Sequence, residues 1–236
     1  MKGKLFLLPT IIADETQHEV IPSSVKESIR SLSYFLCENV RTARRFVSSL
    51  KVHASIEALQ FEILDKDTAV ESLPSLMAPI NAGQNIGILS ESGCPGIADP
   101  GALAVAYAHK HGIQVIPLVG PSSILLALMA SGLNGQRFAF HGYVPVEAKE
   151  AASFIKDLEH ESRVKNQTQI FIETPYRNNS IMSHFLKSLR SDTRLCAAVN
   201  LTSPSEKIMC KTVDQWKKGP VSFEKVPGVF LFLAAL

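Results

Sequence analysis

The chain has 236 residues, of which 46% are hydrophobic and 19% are charged, and its formal net charge is +2. This composition excludes a disordered chain, and the 13 glycines and 13 prolines show no period that would indicate a fibrous protein. A net charge this small also excludes polybasic binding as the main activity. The charge is unevenly distributed: residues 1–118 have ten basic and twelve acidic side chains, and residues 119–236 have fourteen basic and ten acidic side chains. The second half is therefore the more favourable surface for an anionic partner.

The four cysteines, Cys37, Cys94, Cys196 and Cys210, show no C-x-x-C spacing, so neither a zinc site nor a redox motif is indicated and no metal is expected. Free cysteines in apolar runs fit a reducing cytoplasm. The N-terminal apolar run is broken at Pro9, which argues against a signal peptide. The uncharged stretch 111–136 is interrupted by glycine and proline, which predicts a strand, a turn and a short helix, and no membrane association.

The first half of the chain alternates short apolar runs with amphipathic stretches. This pattern predicts a mainly parallel sheet flanked by helices. The predicted strands are Lys4–Leu8, Tyr34–Cys37, Asn85–Ser90 and Ile113–Val119, and the predicted helices are Pro22–Leu32, Val40–Leu50, Thr68–Ala82 and Gly101–His111.

The second half of the chain predicts a mixed sheet, with a hairpin over residues 195–212 around the turn Thr202–Ser205. The remaining predicted strands are Arg137–His141, Gln169–Glu173 and Gly228–Ala234, and the predicted helices are Glu147–Glu161 and Asn178–Arg190. The expected fold class is therefore α/β with two α/β domains, residues 1–119 and 120–236.

Two loops between a buried strand and a helix carry the strongest signal for ligand binding. The first is Ser90-Glu-Ser-Gly-Cys-Pro-Gly-Ile-Ala-Asp-Pro-Gly101, in which the glycines allow a close backbone approach and Asp99 can cap the next helix with Pro100 at its first position. It is longer than a plain βα turn. The second is Val119-Gly-Pro-Ser-Ser-Ile124, which suits either an anion site or a simple helix cap.

Two further segments offer side chains for chemistry. Glu38 and Asn39 follow a strand, and Arg41, Arg44 and Arg45 lie on one face of the next helix, which suits either phosphate contacts or a solvated face. In the segment 171–178, Glu173 and Arg177 can pair and Tyr176 can stack on a base, although the segment also reads as an ordinary turn.

Together these segments resemble the tetrapyrrole-methylase superfamily of S-adenosylmethionine-dependent methyltransferases, most closely its small-subunit rRNA cytidine 2′-O-methyltransferase branch. The family's S-D-A-G-T-P-x-I-S-D-P-G loop matches residues 90–101, its P-G-P-S-A-L motif matches residues 119–124, its R-F-x-F-x-G-F-x-P motif matches residues 137–145, and its E-S-P-H-R motif matches residues 173–177. Three segments depart from the pattern: residues 9–17 lack the family's glycine, Asn39 replaces an aspartate, and residues 199–206 lack a basic residue.

The resemblance implies a cofactor, S-adenosylmethionine, in a cleft between the domains, a homodimer, and an RNA ribose hydroxyl as methyl acceptor. Glu38 is then the candidate base and Arg41 a phosphate ligand. The residues expected to hold the cofactor are Pro9, Ser90, Gly93, Pro95, Ile97, Ala98, Asp99, Pro121, Ser122, Ser123, Thr174 and Gly228. A tetrapyrrole-like small-molecule acceptor and a non-catalytic cofactor-binding module remain alternatives.

Overall fold

The computed structural model describes residues 2–219, 222–223 and 225–235, and the chain forms two compact units, residues 1–122 and 123–236. Each unit has its own sheet. The division after residue 119 into independent domains, and the cleft between those domains, remain predictions.

The first unit is built on a five-stranded, fully parallel sheet with strand order β3-β2-β4-β1-β5. Its central strands are buried on both faces because helices cover both sides, which explains why they read as unbroken apolar runs. All the strands are parallel, so their carboxyl ends share one edge, where open α/β sheets bind ligands. The strands are β1 Leu5–Leu8, β2 Tyr34–Cys37, β3 Gln60–Ile63, β4 Ile86–Leu89 and β5 Val115–Pro117.

The secondary structure of this unit differs from the prediction in three places, of which the first is the unpredicted one-turn helix Gln17–Val20. The single helix expected over residues 68–82 is wrong: Val70–Ser72 forms a 3-10 turn, and two one-turn helices follow, because Pro74 and Pro79 interrupt the backbone hydrogen bonding. Strand β3 was not predicted, since it is a short, partly exposed edge strand. The helices are α1 Gln17–Val20, α2 Ser23–Arg30, α3 Val40–Ser49, α4 Leu73–Leu76, α5 Ala78–Asn81 and α6 Gly101–Lys110.

The second unit contains a mixed sheet of strand order β6-β7-β10-β8-β9. Strands β6 and β7 are parallel, and the other pairs are antiparallel, including the expected β8–β9 hairpin. The two sheets confirm the expected α/β class, with a parallel first sheet and a mixed second one. The strands are β6 Phe138–Phe140, β7 Thr168–Glu173, β8 Arg194–Val199, β9 Lys207–Thr212 and β10 Gly228–Leu233.

An aromatic cluster fills the core on one face of this sheet. Phe171 stacks on Phe232 at 5.5 Å between ring centroids, and Phe185 packs against both rings. Trp216 is fully buried and donates its indole N–H to the carbonyl of Leu195 at 2.8 Å, so its polar atom is satisfied. The helices are α7 Ser123–Ser131, α8 Ala148–Lys165, α9 Asn178–Ser188 and α10 Val213–Lys218.

Candidate functional site

The carboxyl edge of the first sheet brings three separate loops into contact. The amide of Thr10 donates to the carbonyl of Gly93 at 2.8 Å, and Cys94 Sγ lies 3.4 Å from the carbonyl oxygen of Pro121. A Cβ atom on Gly120 would lie 2.2 Å from Cβ of Pro9, so the backbone at Gly120 packs directly against the ring of Pro9. Three of the residues predicted to hold the cofactor, Pro9, Gly93 and Pro121, therefore lie within one cluster because β4, β1 and β5 are neighbours in the sheet.

The loop 90–101 is folded tightly on itself. Asp99 Oδ1 accepts hydrogen bonds from the amides of Gly96 at 2.9 Å and Gly101 at 2.6 Å, and Ser90 Oγ donates to the carbonyl of Ser92 at 2.8 Å. Ala98 has a φ of 55°, a conformation that is strained for a residue with a Cβ and that clusters at functional sites.

Two details of this loop refine the expectation from the sequence. Pro100 holds the N-cap position that was predicted for Asp99, because the helix begins at Gly101, although Asp99 still accepts from the amide of Gly101. Pro95 is buried under the loop, whereas Ile97 and Ala98 are exposed at its tip.

Glu38 and Asp99 form a carboxyl pair at this edge. Glu38 follows β2, and its carboxyl group interacts with that of Asp99, while a backbone hydrogen bond from Glu91 favours its charged form. Partial burial, followed by the negative charge of Asp99, raises the pKa of Glu38 to about 7. Asp99 Oδ2 is buried, and no amide or hydroxyl of the described residues donates to it. The arrangement can hold or release a proton near neutral pH.

Helix α3 begins two residues after Glu38, and the arginines on it have different surroundings. Asn39 caps the helix, because its Oδ1 accepts from the amides of Arg41 at 2.9 Å and Thr42 at 3.2 Å. Arg41 is exposed. Arg44 instead lies over the ring of Phe61, 5.8 Å from its centroid, so its guanidinium has a packing role that the spacing of the arginines did not predict.

A cavity of about 380 Å³ opens between α3 and the loops after β1 and β4. The hydroxyl of Thr42 donates to the carboxylate of Glu91 on its wall. Thr10 is 4% exposed, and its Oγ1 finds no hydrogen-bond partner within the described part of the chain. The lining residues are Thr10, Ile11, Ile12, Asp14, Glu15, Gln17, Thr42, Ala43, Arg45, Phe46, Ser49, Ser90 and Glu91.

Sequence reasoning missed most of this cavity. Among its lining residues only Ser90 was predicted as a ligand-binding residue, and Arg45 was noted only as part of a basic helix face. Thr42 could have been predicted from the sequence, because it comes three residues after the helix cap and therefore faces the same sheet edge. Thr10 and Glu91 carried a weaker signal, as polar residues that directly follow strand ends.

The remaining predicted residues lie in the second unit, apart from Ser122, which is the last residue of the first. Glu173 ends β7, accepts the amide of Thr174 at 2.7 Å on Oε1, and pairs with Arg177 at 3.4 Å, as expected. Gly228 lies opposite Glu173 in the sheet, and a Cβ atom there would be 2.9 Å from Asn178 Oδ1. Ser123 is the first residue of α7, and Ser122 precedes it. Tyr176 is 80% exposed, with the Lys225 ammonium 5.3 Å above its ring.

The part of the chain that the structure describes contains neither a metal-binding cluster nor a membrane-spanning helix. No group of three or more His, Cys, Asp or Glu side chains in this part of the chain could hold a metal ion. Residues 2–219, 222–223 and 225–235 also include no helix that is both long enough and apolar enough to cross a membrane.

Comparison with known sequences gives a consistent result. A family model described as tetrapyrrole (corrin/porphyrin) methylases matches residues 10–217. A protein of Escherichia coli O157:H7 named ribosomal RNA small subunit methyltransferase I is 30% identical over 210 residues, covering 88% of this chain and 68% of that protein. The protein of the same name from Mesorhizobium japonicum is 28% identical over 187 residues, covering 79% of this chain and 60% of that protein. The chain thus spans about two thirds of the length of these relatives or less.

Solved structures show the same fold. A diphthine synthase crystal structure aligns with a TM-score of 0.71 at 14% identity, covering 98% of this chain and 90% of that one. A uroporphyrin-III C-methyltransferase from Thermus thermophilus, complexed with S-adenosyl homocysteine, aligns with a TM-score of 0.60 at 17% identity, covering 98% and 97%. At these identities the likeness establishes the fold alone.

Proposed function

Because the chain belongs to the tetrapyrrole (corrin/porphyrin) methylases, we propose that it methylates a ribose 2′-hydroxyl of small-subunit ribosomal RNA. Two expectations from the sequence are confirmed at the level of the family: the chain is a methyltransferase, and S-adenosylmethionine is its methyl donor. The shared name of the curated relatives supports an RNA acceptor.

The loops at the carboxyl edge of the first sheet suit a polar, close-fitting ligand. Gly93 and Gly96 have φ values of 73° and 81°, in the left-handed region that favours glycine, so no side chain covers the loop backbone at these two positions. The bound donor supplies an electrophilic methyl carbon. The proposal assigns its binding in the first unit to Pro9, Ser90, Gly93, Pro95, Ile97, Ala98, Asp99, Pro121 and Ser122.

Glu38 is the proposed general base, and the position of its carboxyl group is the observation that carries the mechanism. A ribose hydroxyl must lose its proton as its oxygen forms the new bond to carbon, and a carboxylate with a pKa near 7 accepts that proton better than an ordinary glutamate. Asp99 raises the pKa of Glu38, and Glu91, whose backbone hydrogen-bonds to Glu38, also lines the cavity. The proton then passes from Glu38 to solvent.

The cavity beside α3 is the proposed entrance for the acceptor nucleotide. Its walls combine the apolar Phe46 with polar and charged groups, including Arg45, and Arg41 is exposed on the same helix. In this proposal the two guanidinium groups attract the phosphates of the nucleotide, while the carboxylate of Glu38 faces the ribose hydroxyl. Arg41 and Arg45 are therefore assigned to phosphate binding.

The acceptor can be tested with S-adenosylmethionine labelled with tritium in the methyl group. The substrate is small-subunit ribosomal RNA from cells that lack the gene for this protein, because such RNA leaves the target hydroxyl free. A 2′-O-methyl group protects the adjacent phosphodiester from alkali, so we expect tritium in an alkali-stable dinucleotide. The matched control is Glu38→Gln protein, which should bind the donor and leave the RNA unlabelled.

Other outcomes of the same experiment would overturn the proposal. Label in a small-molecule fraction, with none in RNA, would identify a tetrapyrrole-like acceptor. Binding of S-adenosylhomocysteine without transfer to any cellular pool would identify a non-catalytic module. The substitution of Asn39 for the family's aspartate does not by itself favour that module, since Asn39 caps α3 and Glu38 keeps its place.

We also propose that the enzyme works as a homodimer in the cytoplasm. Leu125 and Met129 lie one turn apart on α7 and are 50% and 78% exposed, which is unusual for an uncharged helix and suits burial against a second copy. A monomer mass by light scattering at working concentrations would contradict the dimer. If the dimer forms through α7, Met129→Glu should dissociate it while leaving the far-ultraviolet circular dichroism unchanged.

A further inference from the structure

The hairpin of the second unit places two cysteines directly opposite each other. Cys196 on β8 pairs with Cys210 on β9 in the antiparallel register, although fourteen residues separate them in the chain. Opposed residues in such a pair point to the same face of the sheet, with Cβ atoms about 4.5–5.5 Å apart and Cα atoms within the range that a disulfide spans. Strand β9 lies at one edge of this sheet.

The two thiols differ in exposure. Cys196 is fully buried, whereas Cys210 is exposed. Leu195, Ala197 and Val199 alternate with Cys196 and pack into the aromatic core, so the cysteine pair lies on the opposite face. Arg194 shares that face, two residues before Cys196, and donates to the carbonyl of Gly132, just beyond the end of α7, at 3.2 Å.

We propose that Cys196 and Cys210 form a peroxide-sensitive pair, in which Cys210 is the attacking thiol and Cys196 the resolving one. The Cys210 thiolate attacks one oxygen of hydrogen peroxide, the O–O bond breaks, and the released hydroxide takes a proton to become water. Cys196 sulfur then attacks the sulfenic acid on Cys210. The S–S bond forms, the S–O bond breaks, and the Cys196 proton leaves with the hydroxyl as a second water.

The surroundings of the pair favour this division of roles. A hydrogen bond with Cys196 and the charge of Arg194 lower the pKa of Cys210 to about 7, against the opposing effect of its partial burial. The same hydrogen bond, together with burial, raises the pKa of Cys196. Burial also raises the pKa of Cys37, to about 12, and that of Cys94, so both are poorer nucleophiles and serve as internal controls.

The pair can be tested on the purified full chain by titration with hydrogen peroxide. Remaining thiols are then blocked with N-ethylmaleimide under denaturing conditions, and peptides are analysed by mass spectrometry. We expect a linked peptide containing Cys196 and Cys210, lighter by two hydrogen atoms than the separate peptides, while Cys37 and Cys94 remain fully blocked. A dithiol reductant should restore both thiols.

Variants separate the two roles. Cys196→Ser should leave a sulfenic acid on Cys210 that dimedone traps, and Cys210→Ser should abolish both the link and the dimedone adduct. Arg194→Gln should slow alkylation of Cys210 roughly twofold at pH 7, because the thiolate fraction falls. Oxidation of Cys210 to sulfinic acid with Cys196 still free, or a link between any other two cysteines, would overturn the proposal.

Discussion

The carboxyl group of Glu38, at the end of β2, interacts electrostatically with that of Asp99, in the loop after β4. Asp99 already accepts two backbone amides through Oδ1, so its charge is held in place and acts on Glu38. Two carboxyl groups so close do not both ionise easily, and the proton stays on the pair to a higher pH than on an isolated glutamate. Partial burial of Glu38, together with this interaction, gives the site its pH dependence.

Removing the Glu38 carboxylate should separate catalysis from donor binding. For the wild-type enzyme we expect kcat to rise with pH and level off above about 7, as Glu38 loses its proton. Glu38→Gln should lower kcat by about 10²-fold or more and flatten this profile, with little change in the Kd for S-adenosylhomocysteine. Steady-state kinetics and calorimetry measure the two quantities. Glu71→Gln, an exposed glutamate of the same unit, is the control. A fully active Glu38→Gln enzyme would remove Glu38 from the mechanism.

The same carboxyl group should make stability depend on pH. The pKa of Glu38 is about 7 in the folded state and close to its ordinary 4.5 in the unfolded state, so folding takes up a proton between these values. Its contribution to the free energy of unfolding is therefore fully present below about pH 4.5 and is lost as the pH rises through 7. Glu38→Gln should therefore raise the free energy of unfolding more at pH 8 than at pH 5, by on the order of 1 kcal/mol after solvent screening. Urea unfolding at the two pH values measures this difference, and equal effects at both would contradict it.

We expect Asn39 to matter because its side-chain oxygen caps helix α3, and not because its side chain carries an amide group. Asn39→Ala removes the acceptor of two α3 amides and should cost about 1 kcal/mol of stability. Asn39→Asp restores the residue of the family pattern, keeps the cap, and places a favourable charge at the helix N-terminus. We therefore expect Asn39→Ala to be less stable than the wild type and Asn39→Asp to be at least as stable, and thermal unfolding of the three proteins tests this order. If Asn39→Ala is as stable as wild type, the capping bonds contribute nothing.

Gly120 should tolerate no side chain. A Cβ atom there would lie 2.2 Å from Cβ of Pro9, and a proline ring cannot rotate away. We expect Gly120→Ala to destabilise the first unit by about 1–3 kcal/mol and to weaken donor binding, since the two loops must separate. Gly135→Ala is the matched control, because a Cβ at that position meets nothing within 4 Å. Differential scanning calorimetry with and without S-adenosylhomocysteine measures both effects.

Thr10 tests whether the cavity binds the acceptor. Its buried Oγ1 has no partner among the described residues, so Thr10→Val, which has nearly the same shape, should leave the melting temperature unchanged or slightly higher. If that hydroxyl contacts the acceptor nucleotide, the variant should raise the KM for RNA several-fold, with a smaller change in kcat. A loss of stability without a change in KM would show that the hydroxyl serves the fold.

The amino-acid sequence by itself determined the fold class and most of the secondary structure. Buried strands such as Tyr34–Cys37 are marked by unbroken apolar runs, and the loop 90–101 is marked by its glycines and its position after a strand. These signals are local, because burial on both faces and positive φ angles impose residue types directly on the segments concerned. Where two local signals competed, as apolar periodicity and Pro74 did in residues 68–82, the proline decided the structure.

Only the tertiary structure decided which of these segments meet. The strand order β3-β2-β4-β1-β5 places the loops after β1, β4 and β5 in contact, and nothing in the spacing of Pro9, Gly93 and Pro121 specifies that order. The interaction of Glu38 with Asp99 depends on the same order, because β2 and β4 are neighbours in it. In the second sheet, the register of the β8–β9 hairpin sets Cys196 opposite Cys210. Long-range pairing is fixed by the packing of whole sheets and helices, in which each residue contributes a small part of the free energy, so no short motif records it.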